Sequence, residues 1–398
     1  MSRQIHDVAI VGAGMVGAAL ALDLAARGFD VAVIEAHAPV AWRREGEVDL
    51  RVVALAPSAQ ILLSKLDVWS EIAAARASSY RRMHVWDALA PGSLTFDAAD
   101  EGAASLGHIV ENKLIQSVLW HAIERNAAIT LRCPARVAAT DVDLGERDRG
   151  NRVVVLDDGS RLAARLVVAA DGAASAMREL LGIATRDRDY AQRAVVAHVA
   201  TARAHDATAW QRFLPQATIA FLPLADGRSS IVWSLPEAEA ERVLALDDTS
   251  FLSELGAAFD FRLGPIASTT ARAAFPLRLK LAERYIAPRF ALIGDAAHVV
   301  HPLAGQGVNL GLRDASLLAE VLSSARDDKL DIANDATLRR FERRRRSDNA
   351  LSAYAFDAIQ RGFGSESTPL AALRGFALAA VDRTVPLKRL FARHAAGM

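Results

Sequence analysis

Short apolar runs that stop at glycine or an acidic residue recur along the chain. The first, Asp7–Val11, leads into closely spaced glycines and an alanine- and leucine-rich helical stretch that ends at Arg27, with Gly28 as its stop. A second run, Asp30–Ile34, ends at Glu35. Apolar runs of this length are typical of strands buried on both faces. The pattern predicts a strand, a helix and a second strand in succession.

Two later runs repeat this arrangement. Arg165–Ala170 ends at Asp171-Gly172 and is followed by a helical pattern over Ser175–Leu181. Phe290–Ile293 ends at Gly294-Asp295, and a helical pattern begins near residue 308. We therefore expect two more buried strands that open into glycine-containing loops.

Composition changes after Tyr190, where several β-like runs separated by helical stretches suggest an inserted antiparallel sheet. A hairpin with its turn at Pro91-Gly92 comes earlier in the chain. A second hairpin is expected from Arg152–Leu156 and Arg161–Ala163, with its turn at residues 157–160. The predicted strands and hairpin are Met83–Asp97, Ala194–Ala200, Thr218–Leu224, Ser229–Leu235 and Thr269–Leu279. The predicted helices are Glu111–Asn126, Glu237–Leu246, Ser250–Phe259 and Ala336–Gln360. The last helix carries four consecutive arginines at 343–346, which we expect to form a solvated face rather than a binding patch.

These elements predict an α/β protein with an inserted sheet. We expect a discontinuous Rossmann-like nucleotide-binding domain over residues 1–80, 105–185 and 280–345. A mainly antiparallel β-sheet domain for the substrate would comprise residues 81–104 and 186–279, and residues 346–398 would form a C-terminal helical segment. Two short helices are expected from Ser367 onward.

Composition narrows the class of protein. The formal net charge is zero over 398 residues, so the totals give no reason to expect a nucleic-acid partner. A single cysteine, Cys133, excludes an intrachain disulfide framework and a cysteine metal cluster, and the sequence indicates no metal site. Neither a signal peptide nor an apolar run of about 20 residues is visible, so we expect a cytoplasmic protein for which peripheral attachment to a membrane stays open.

The glycines after the first strand form a dinucleotide fingerprint. Gly12 makes the turn, Gly14 lets the backbone approach a pyrophosphate, and Gly17 lets the helix pack on the strand. Glu35 would accept hydrogen bonds from ribose hydroxyls. An acidic residue at this position disfavours a 2′-phosphate, so the fingerprint indicates FAD or NAD rather than NADP.

The stretch from Arg289 to Asp314 carries the densest candidate chemistry. Its loop holds His298, His301 and Pro302, followed by Gly305-Gln306-Gly307 at the start of a helix. Glycine allows backbone N–H groups to approach a ligand closely, and the start of a helix adds a positive dipole end. Such a loop suits an anion, or a ring that becomes anionic.

These motifs, in this order and at these separations, resemble the single-component flavoprotein aromatic hydroxylases of the para-hydroxybenzoate hydroxylase type. HPLAGQGVNLG from His301, AWQRFLP from Ala209 and FLPL from Phe221 look like signatures of the ubiquinone-biosynthesis hydroxylases within that group. VDR from Val381 and PLKRL from Pro386 are similar to the same family. The resemblance covers nearly the whole chain.

The resemblance implies FAD in an extended pose, with each contact carried over by position. Asp295 would bind the ribityl hydroxyls, and Asp171-Gly172 would serve both FAD and the reducing nicotinamide of NADH or NADPH. The implied set of cofactor-binding residues is Gly12, Gly14, Gly17, Glu35, Arg51, Gln116, Val137, Asp171, Gly172, Asp295, Gly305, Gln306, Gly307 and Asn309.

The activity that the resemblance implies is hydroxylation of a polyprenylated phenol in ubiquinone biosynthesis, with NAD(P)H and O₂, through a flavin C4a-hydroperoxide. His298, His301 and Pro302 are the candidate catalytic residues, although for each histidine we favour positioning of the loop over proton transfer. Two alternatives stay open: a soluble aromatic substrate, and a flavin-binding assembly component of a biosynthetic complex. The implied partners are the phenol and O₂, with contact to such a complex or to the inner face of the membrane as further possibilities.

Overall fold

The computed structural model of the chain describes residues 5–90, 92–143, 150–300 and 307–364. The predicted C-terminal helices beyond Ser367 lie outside the described residues. So does most of the polar turn at 145–151.

Twenty strands and nine α-helices are present in the described part of the chain. The strands are β1 (Ile5–Val11), β2 (Val31–Ile34), β3 (Val52–Leu55), β4 (Ser78–Tyr80), β5 (Arg82–Asp87), β6 (Ser93–Asp97), β7 (Gly107–Glu111), β8 (Ile129–Arg132), β9 (Val137–Asp143), β10 (Asn151–Leu156), β11 (Arg161–Ala169), β12 (Thr185–Thr201), β13 (Thr208–Leu214), β14 (Ala217–Pro223), β15 (Ser229–Pro236), β16 (Ile266–Thr269), β17 (Ala273–Ala282), β18 (Ile286–Ala287), β19 (Phe290–Leu292) and β20 (His298–Val299). The helices are α1 (Met15–Ala26), α2 (Pro57–Lys65), α3 (Trp69–Arg76), α4 (Asn112–Glu124), α5 (Ala176–Leu180), α6 (Glu237–Leu244), α7 (Asp248–Ala258), α8 (Gly307–Asp327) and α9 (Asp335–Gly364).

The first sheet is the Rossmann-like core. Its strand order is β18-β19-β11-β1-β2-β8, with β10 and β9 continuing from β11 as antiparallel additions. Strands β19, β11, β1, β2 and β8 are parallel to their neighbours. Residues 17–24 of α1 are all buried, because this helix packs between the sheet, α4 and α8. The buried residues are apolar or glycine except for Asp23, which pairs with Arg27 and Lys65. A helix that is apolar on most sides belongs in such a core.

The second sheet is mainly antiparallel, with the order β20-β17-β12-β15-β14-β13-β5-β6 and β16 paired to β12. Side chains of β12, β14 and β15 alternate between its faces. Those on one face, such as Val195, Ile219 and Ile231, pack with Phe251 of α7 in a separate apolar core. The other face of this sheet looks toward the first domain. A third sheet, β3-β7-β4, lies beside it.

The fold class predicted from the sequence is confirmed, and the strands of the two predicted domains fall mainly in separate sheets. Strand β20 and the end of β17 extend the second sheet beyond residue 279, and α9 crosses residue 345. No helix among the described residues combines the length and apolar character that crossing a membrane requires.

Three strand predictions were wrong in detail. We expected a hairpin strand ending at Ala163 and a separate strand from Arg165, but β11 is continuous, since it pairs with β10 and then with β1. Strand β12 begins nine residues before the predicted Ala194, where the polar residues of its first half pair with β17. Strand β13 was not predicted at all. In each case pairing with a neighbour overrides the weak local pattern.

Candidate active site

Four loops meet at one edge of the first sheet. Val11 of β1 lies beside Ile34 of β2 and Ala169 of β11, and Ala169 lies beside Leu292 of β19. Because these strands are parallel, their carboxyl ends open on the same side. In α/β sheets, ligands bind outside these ends. The register therefore brings together the glycine loop, Glu35, Asp171-Gly172 and Gly294-Asp295.

The three positions Gly12, Gly14 and Gly17 of the first loop call for glycine for different structural reasons. Gly12 has φ +99°, and a Cβ there would meet the carbonyl oxygen of Ala170, which directly follows β11. A Cβ at Gly17 would meet the carbonyl oxygen of Gly12. Gly14, in contrast, has no atom within 4 Å of its Cβ position. Two glycines thus serve the packing of the loop, and the third leaves an open face for a ligand.

Glu35 is fixed against this loop. Its Oε2 accepts from the N–H of Ala13 at 2.6 Å, and its Oε1 accepts from the N–H of His37 at 3.1 Å. The backbone of Glu35 also joins the chain before β9, since its carbonyl accepts from the N–H of Ala135. A carboxylate held in this way keeps lone pairs for further donors, such as ribose hydroxyls.

One carboxylate oxygen of Asp171 has no hydrogen-bond donor among the described residues. Its Oδ2 accepts from the N–H of Met177 at 3.1 Å, whereas its Oδ1 is buried without a hydrogen-bond partner in the described structure. Burial raises the pKa of this carboxyl above its usual range, against the opposing effects of the neighbouring Ser175 and Met177. A buried acceptor without a donor is costly, so its presence at the loop edge indicates a binding position. Gly172 follows with φ +83° and open space at its Cβ position.

Arg178 links two of the loops. This residue of α5 is 3% exposed, and its guanidinium donates to the carbonyl of Ala173 at 2.9 Å and to that of Ala296 at 2.8 Å. The guanidinium of Arg178 therefore links the loop of Asp171 to the loop of Asp295 by hydrogen bonds. The sequence placed Arg178 in a helix without a role. In the sequence, the one hint of a role for Arg178 was the occurrence of a basic residue among small residues.

Asp295 and Arg51 lie on the wall of a cavity. The side chain of Asp295 is exposed to the cavity. Protein atoms nevertheless surround its carboxyl closely, and this desolvation raises its pKa against the opposing effects of His298 and Arg51. The guanidinium of Arg51 stacks over the ring of Phe275, 5.1 Å from its centroid. Gly307, the first residue of α8, lines the same cavity.

The cavity has a volume of about 590 Å³ and lies between these loops and the inner face of the second sheet. Most of its wall is apolar, with residues of β3, β7 and the second sheet. Burial raises the pKa of Tyr80 on this wall to about 12, so its phenol is neutral. The described residues therefore form a largely apolar cavity, and their charged groups lie at its cofactor side and its edge.

His298 lies in a buried polar network, and the described wall of the cavity is formed without it. Its Nε2 is 2.5 Å from Oδ2 of Asp314, and the same oxygen accepts from the N–H of Gly294 at 2.9 Å. Oδ1 of Asp314 accepts from Nε of Arg345 at 2.6 Å and from the amide of Asn349 at 3.2 Å. This geometry favours the positioning alternative for His298 over proton transfer.

The network also changes how the arginine run at 343–346 is understood. We expected a solvated face, and Arg343, Arg344 and Arg346 are exposed, but Arg345 is 3% exposed and bound to Asp314. Asp314 and Arg345 support the site in a way that the sequence did not reveal. One buried arginine among four looks the same as its neighbours in the sequence.

The remaining candidates are placed as follows. The side chain of Asn309 is committed to the backbone, since it accepts from the N–H of Ala56 at 2.8 Å and donates to the carbonyl of Ala54 at 2.7 Å. Val137 begins β9, two residues beyond Ala135 and so close to Glu35. Gln116 is half-buried on α4, away from the cavity wall. His301, Pro302, Gly305 and Gln306 lie outside the described residues.

These features fit FAD. The open space at Gly14, Gly172 and Gly307 leaves room for a ligand against the backbone, and Oδ1 of Asp171 requires a donor. The starts of α1 and α8 supply positive dipole ends at the two ends of the site. The fold and the loops together define an FAD-binding protein of the flavoprotein monooxygenase class.

Comparison with known proteins identifies the family. A family model described as "FAD binding domain" matches residues 6–348. The 3-demethoxyubiquinol 3-hydroxylase of Escherichia coli is 37% identical over 398 residues, covering 100% of both chains. The ubiquinone hydroxylase UbiL of Rhodospirillum rubrum is 39% identical over 99% of this chain and 90% of its own. The chain belongs to the ubiquinone-biosynthesis hydroxylase family of FAD-dependent monooxygenases.

Solved structures support the fold. Pseudomonas aeruginosa PqsL in complex with 2-aminobenzoylacetate is similar with a TM-score of 0.78 and 25% identity, covering 96% of this chain and 100% of its own. A point variant of Klebsiella pneumoniae HpxO complexed with FAD is similar with a TM-score of 0.75 and 20% identity, covering 98% of this chain and 99% of its own. The second likeness shows the fold alone.

Proposed function

We propose that the chain hydroxylates the aromatic ring of a polyprenylated phenol in ubiquinone biosynthesis, using FAD, O₂, and NADH or NADPH. The observation that carries the proposal is the mainly apolar cavity of about 590 Å³ against Asp295, Arg51 and Gly307. A cavity of this size and lining suits a small organic ligand. The relatives named as ubiquinone hydroxylases support the substrate class.

The roles of the chain's own residues follow from their positions. The glycine loop and the start of α1 would hold the pyrophosphate, Glu35 the adenosine ribose, and Asp295 the ribityl hydroxyls. Arg51 would supply a cation beside Asp295. Asp171 would accept a hydrogen bond through Oδ1.

Bound FAD would supply the redox chemistry, taking electrons from NADH or NADPH and activating O₂ for transfer to an electron-rich ring. The start of α8 at Gly307 would stabilise negative charge at the cavity end of the site. The apolar wall would exclude water from the reacting ring. The Asp314 network would hold the Gly294-Asp295 turn in place while this happens.

The prenyl tail would lie against the apolar part of the cavity wall. Ile109 of β7 and Leu222 of β14 belong to one apolar cluster, with Val52 and Met83 packed against it, and all four line the cavity. A longer polyprenyl chain would extend out of the cavity. Because such a chain partitions into lipid, we expect the enzyme to take its substrate at a membrane surface.

The purified protein should be yellow and should oxidise NADH or NADPH faster, with O₂ consumption, when a prenylated phenol is added. Mass spectrometry should then find the phenol with one added oxygen atom. A flavin that neither nucleotide reduces, with the phenol present, would overturn the proposal and favour a flavin-binding assembly component. Quinone analysis of a strain that lacks the protein would identify the ring carbon, because the accumulated intermediate lacks that hydroxyl.

A further inference from the structure

The inner face of the second sheet forms one wall of the cavity and is built mostly of small or apolar side chains. Those contributed by β12 to β15 include Ala194, Val196, Ala209, Ala220, Leu222 and Val232. Four neutral polar side chains interrupt this surface: Gln211 of β13, Thr218 of β14, and Ser230 and Ser234 of β15. Ser230 lies apart from the others, opposite Leu222. We call Gln211, Thr218 and Ser234 the polar triplet.

The polar triplet is buried and has no partner within the described part of the protein. Gln211 is 7% exposed, Thr218 8% and Ser234 6%. Among the described residues, none of the three side chains makes a hydrogen bond. Buried hydroxyl and amide groups without partners are costly, and natural proteins satisfy most of them. Their presence on a cavity wall therefore indicates groups that a ligand satisfies.

Strand register places the three side chains together. Thr218 and Ser234 lie directly opposite each other on neighbouring strands. Gln211 lies opposite Ala220, which is two residues from Thr218 on the same face. Direct neighbours of this kind have Cβ atoms about 5 Å apart, and diagonal ones about 7–8 Å apart. The triplet thus presents donors and acceptors across a width comparable to that of a substituted ring.

We propose that the polar triplet binds the oxygen substituents of the substrate ring and makes the site specific for a neutral ring. This inference rests on the proposed function. The Gln211 amide can donate and accept at once, and each hydroxyl can do either, so the triplet suits ring hydroxyl and methoxy groups. A site with such buried groups discriminates strongly against a ring that cannot pair with them.

The charges around the cavity support the preference for a neutral ring. Arg212, the cation of β13, faces the other side of the sheet and donates to the carbonyls of Ala257 and Ala258. Arg51 lies at the cofactor side of the cavity, where it interacts electrostatically with the carboxyl of Asp295. Arg278 and Lys280 lie on β17 at the cavity edge, where each pairs with an aspartate of β12. A carboxylate on the ring would therefore lie against the triplet with no unpaired cation beside it among the described residues, which is unfavourable in a buried site.

The inference can be tested by ligand binding without turnover. The ligands are a methoxyphenol with a short prenyl chain and the same compound with a ring carboxylate, and binding to the FAD-loaded protein is followed by tryptophan fluorescence. The wild type should bind the neutral compound more tightly, by about tenfold or more. Ser234→Ala, Thr218→Val and Gln211→Leu should each weaken its binding about tenfold, which corresponds to the loss of one hydrogen bond.

A matched control is available on the same strand. Ser229→Ala makes the same chemical change as Ser234→Ala, but Ser229 faces the opposite side of β15 and is not part of the described cavity wall. Its variant should bind like the wild type. Gln211→Arg should reverse the preference and tighten binding of the carboxylate, a gain that misfolding could not produce.

Two results would overturn the inference while leaving the proposed activity in place. One is a wild type that binds the carboxylated compound as tightly as the neutral one. The other is a set of triplet variants that bind like Ser229→Ala. If the wild type binds neither compound, the proposed function fails together with the inference.

Discussion

Oδ2 of Asp314 lies 2.5 Å from Nε2 of His298, and neither side chain is exposed. The same oxygen accepts the N–H of Gly294, so the carboxylate of α8 holds the turn that presents Asp295 to the cavity. Arg345 of α9 neutralises the other oxygen. The turn is thus held by residues that do not line the described cavity wall.

Loss of the Asp314 charge should destabilise the protein. Asp314→Asn leaves Arg345 buried without a full counter-charge, and breaking a buried pair in this way costs about 3 kcal/mol or more. We expect a corresponding fall in the free energy of unfolding, measured by urea denaturation at matched flavin loading.

Asp348 provides the matched control, because it also pairs with Arg345, at 3.1 Å, but its side chain is 50% exposed. Asp348→Asn should cost less than about 1 kcal/mol. Equal losses in the two variants would contradict the role given to the buried carboxylate.

The contribution of Asp314 should also depend on pH. Burial alone would raise the pKa of Asp314, but His298 and Arg345 outweigh it and lower the pKa to about 2. A carboxyl whose pKa is lowered on folding stabilises the folded state at pH values above its pKa in the unfolded chain, which is near 4. This stabilisation is lost as the pH falls toward the folded-state pKa of about 2. The stability difference between the wild type and Asp314→Asn should therefore shrink by about 2 kcal/mol between pH 5 and pH 2. A difference that stays constant over this range would exclude the proposed linkage.

The sequence was most informative where a local rule decides the structure. Apolar runs that end in glycine or an acidic residue predicted four loops at the carboxyl edge of the sheet, because parallel pairing leaves little choice once the strands are known. The glycine fingerprint predicted the roles of Gly12 and Gly17, which the contacts of their Cβ positions explain.

The sequence was least informative where partners are distant along the chain. Asp314 and Arg345 meet across 31 residues, Asn309 reaches Ala54 across 255, and Arg178 reaches Ala296 across 118. No periodicity reports such contacts. The polar triplet lies on β13, β14 and β15, and one of these strands was not predicted, so its shared face appears only when the register is known.

The open face at Gly14 should be sensitive to a methyl group. Gly14→Ala meets no protein atom within 4 Å, so we expect a folded protein. The added methyl would lie where backbone and pyrophosphate approach each other, and we expect FAD binding to weaken about tenfold, as for overpacking of about 1–3 kcal/mol. The flavin-to-protein absorbance ratio after dialysis measures the effect.

Gly362→Ala is the control for this change. Gly362 of α9 also has open space at its Cβ position, and alanine favours a helix interior over glycine. Its flavin content should match that of the wild type. If both variants retain the wild-type content, the glycine loop does not hold the pyrophosphate.

Glu35 tests the other end of the nucleotide. Its carboxylate accepts from Ala13 and His37, and we expect it to accept from the ribose as well. Glu35→Lys removes every acceptor and places a cation beside the loop, so flavin content should fall sharply. Glu35→Gln keeps one acceptor oxygen and should retain an intermediate content, measured by the same absorbance ratio. The order of the flavin contents matters more than the size of the loss. If Glu35 acts as a hydrogen-bond acceptor, the glutamine variant should hold less flavin than the wild type but clearly more than the lysine variant. Unchanged flavin content in the lysine variant would remove Glu35 from the site.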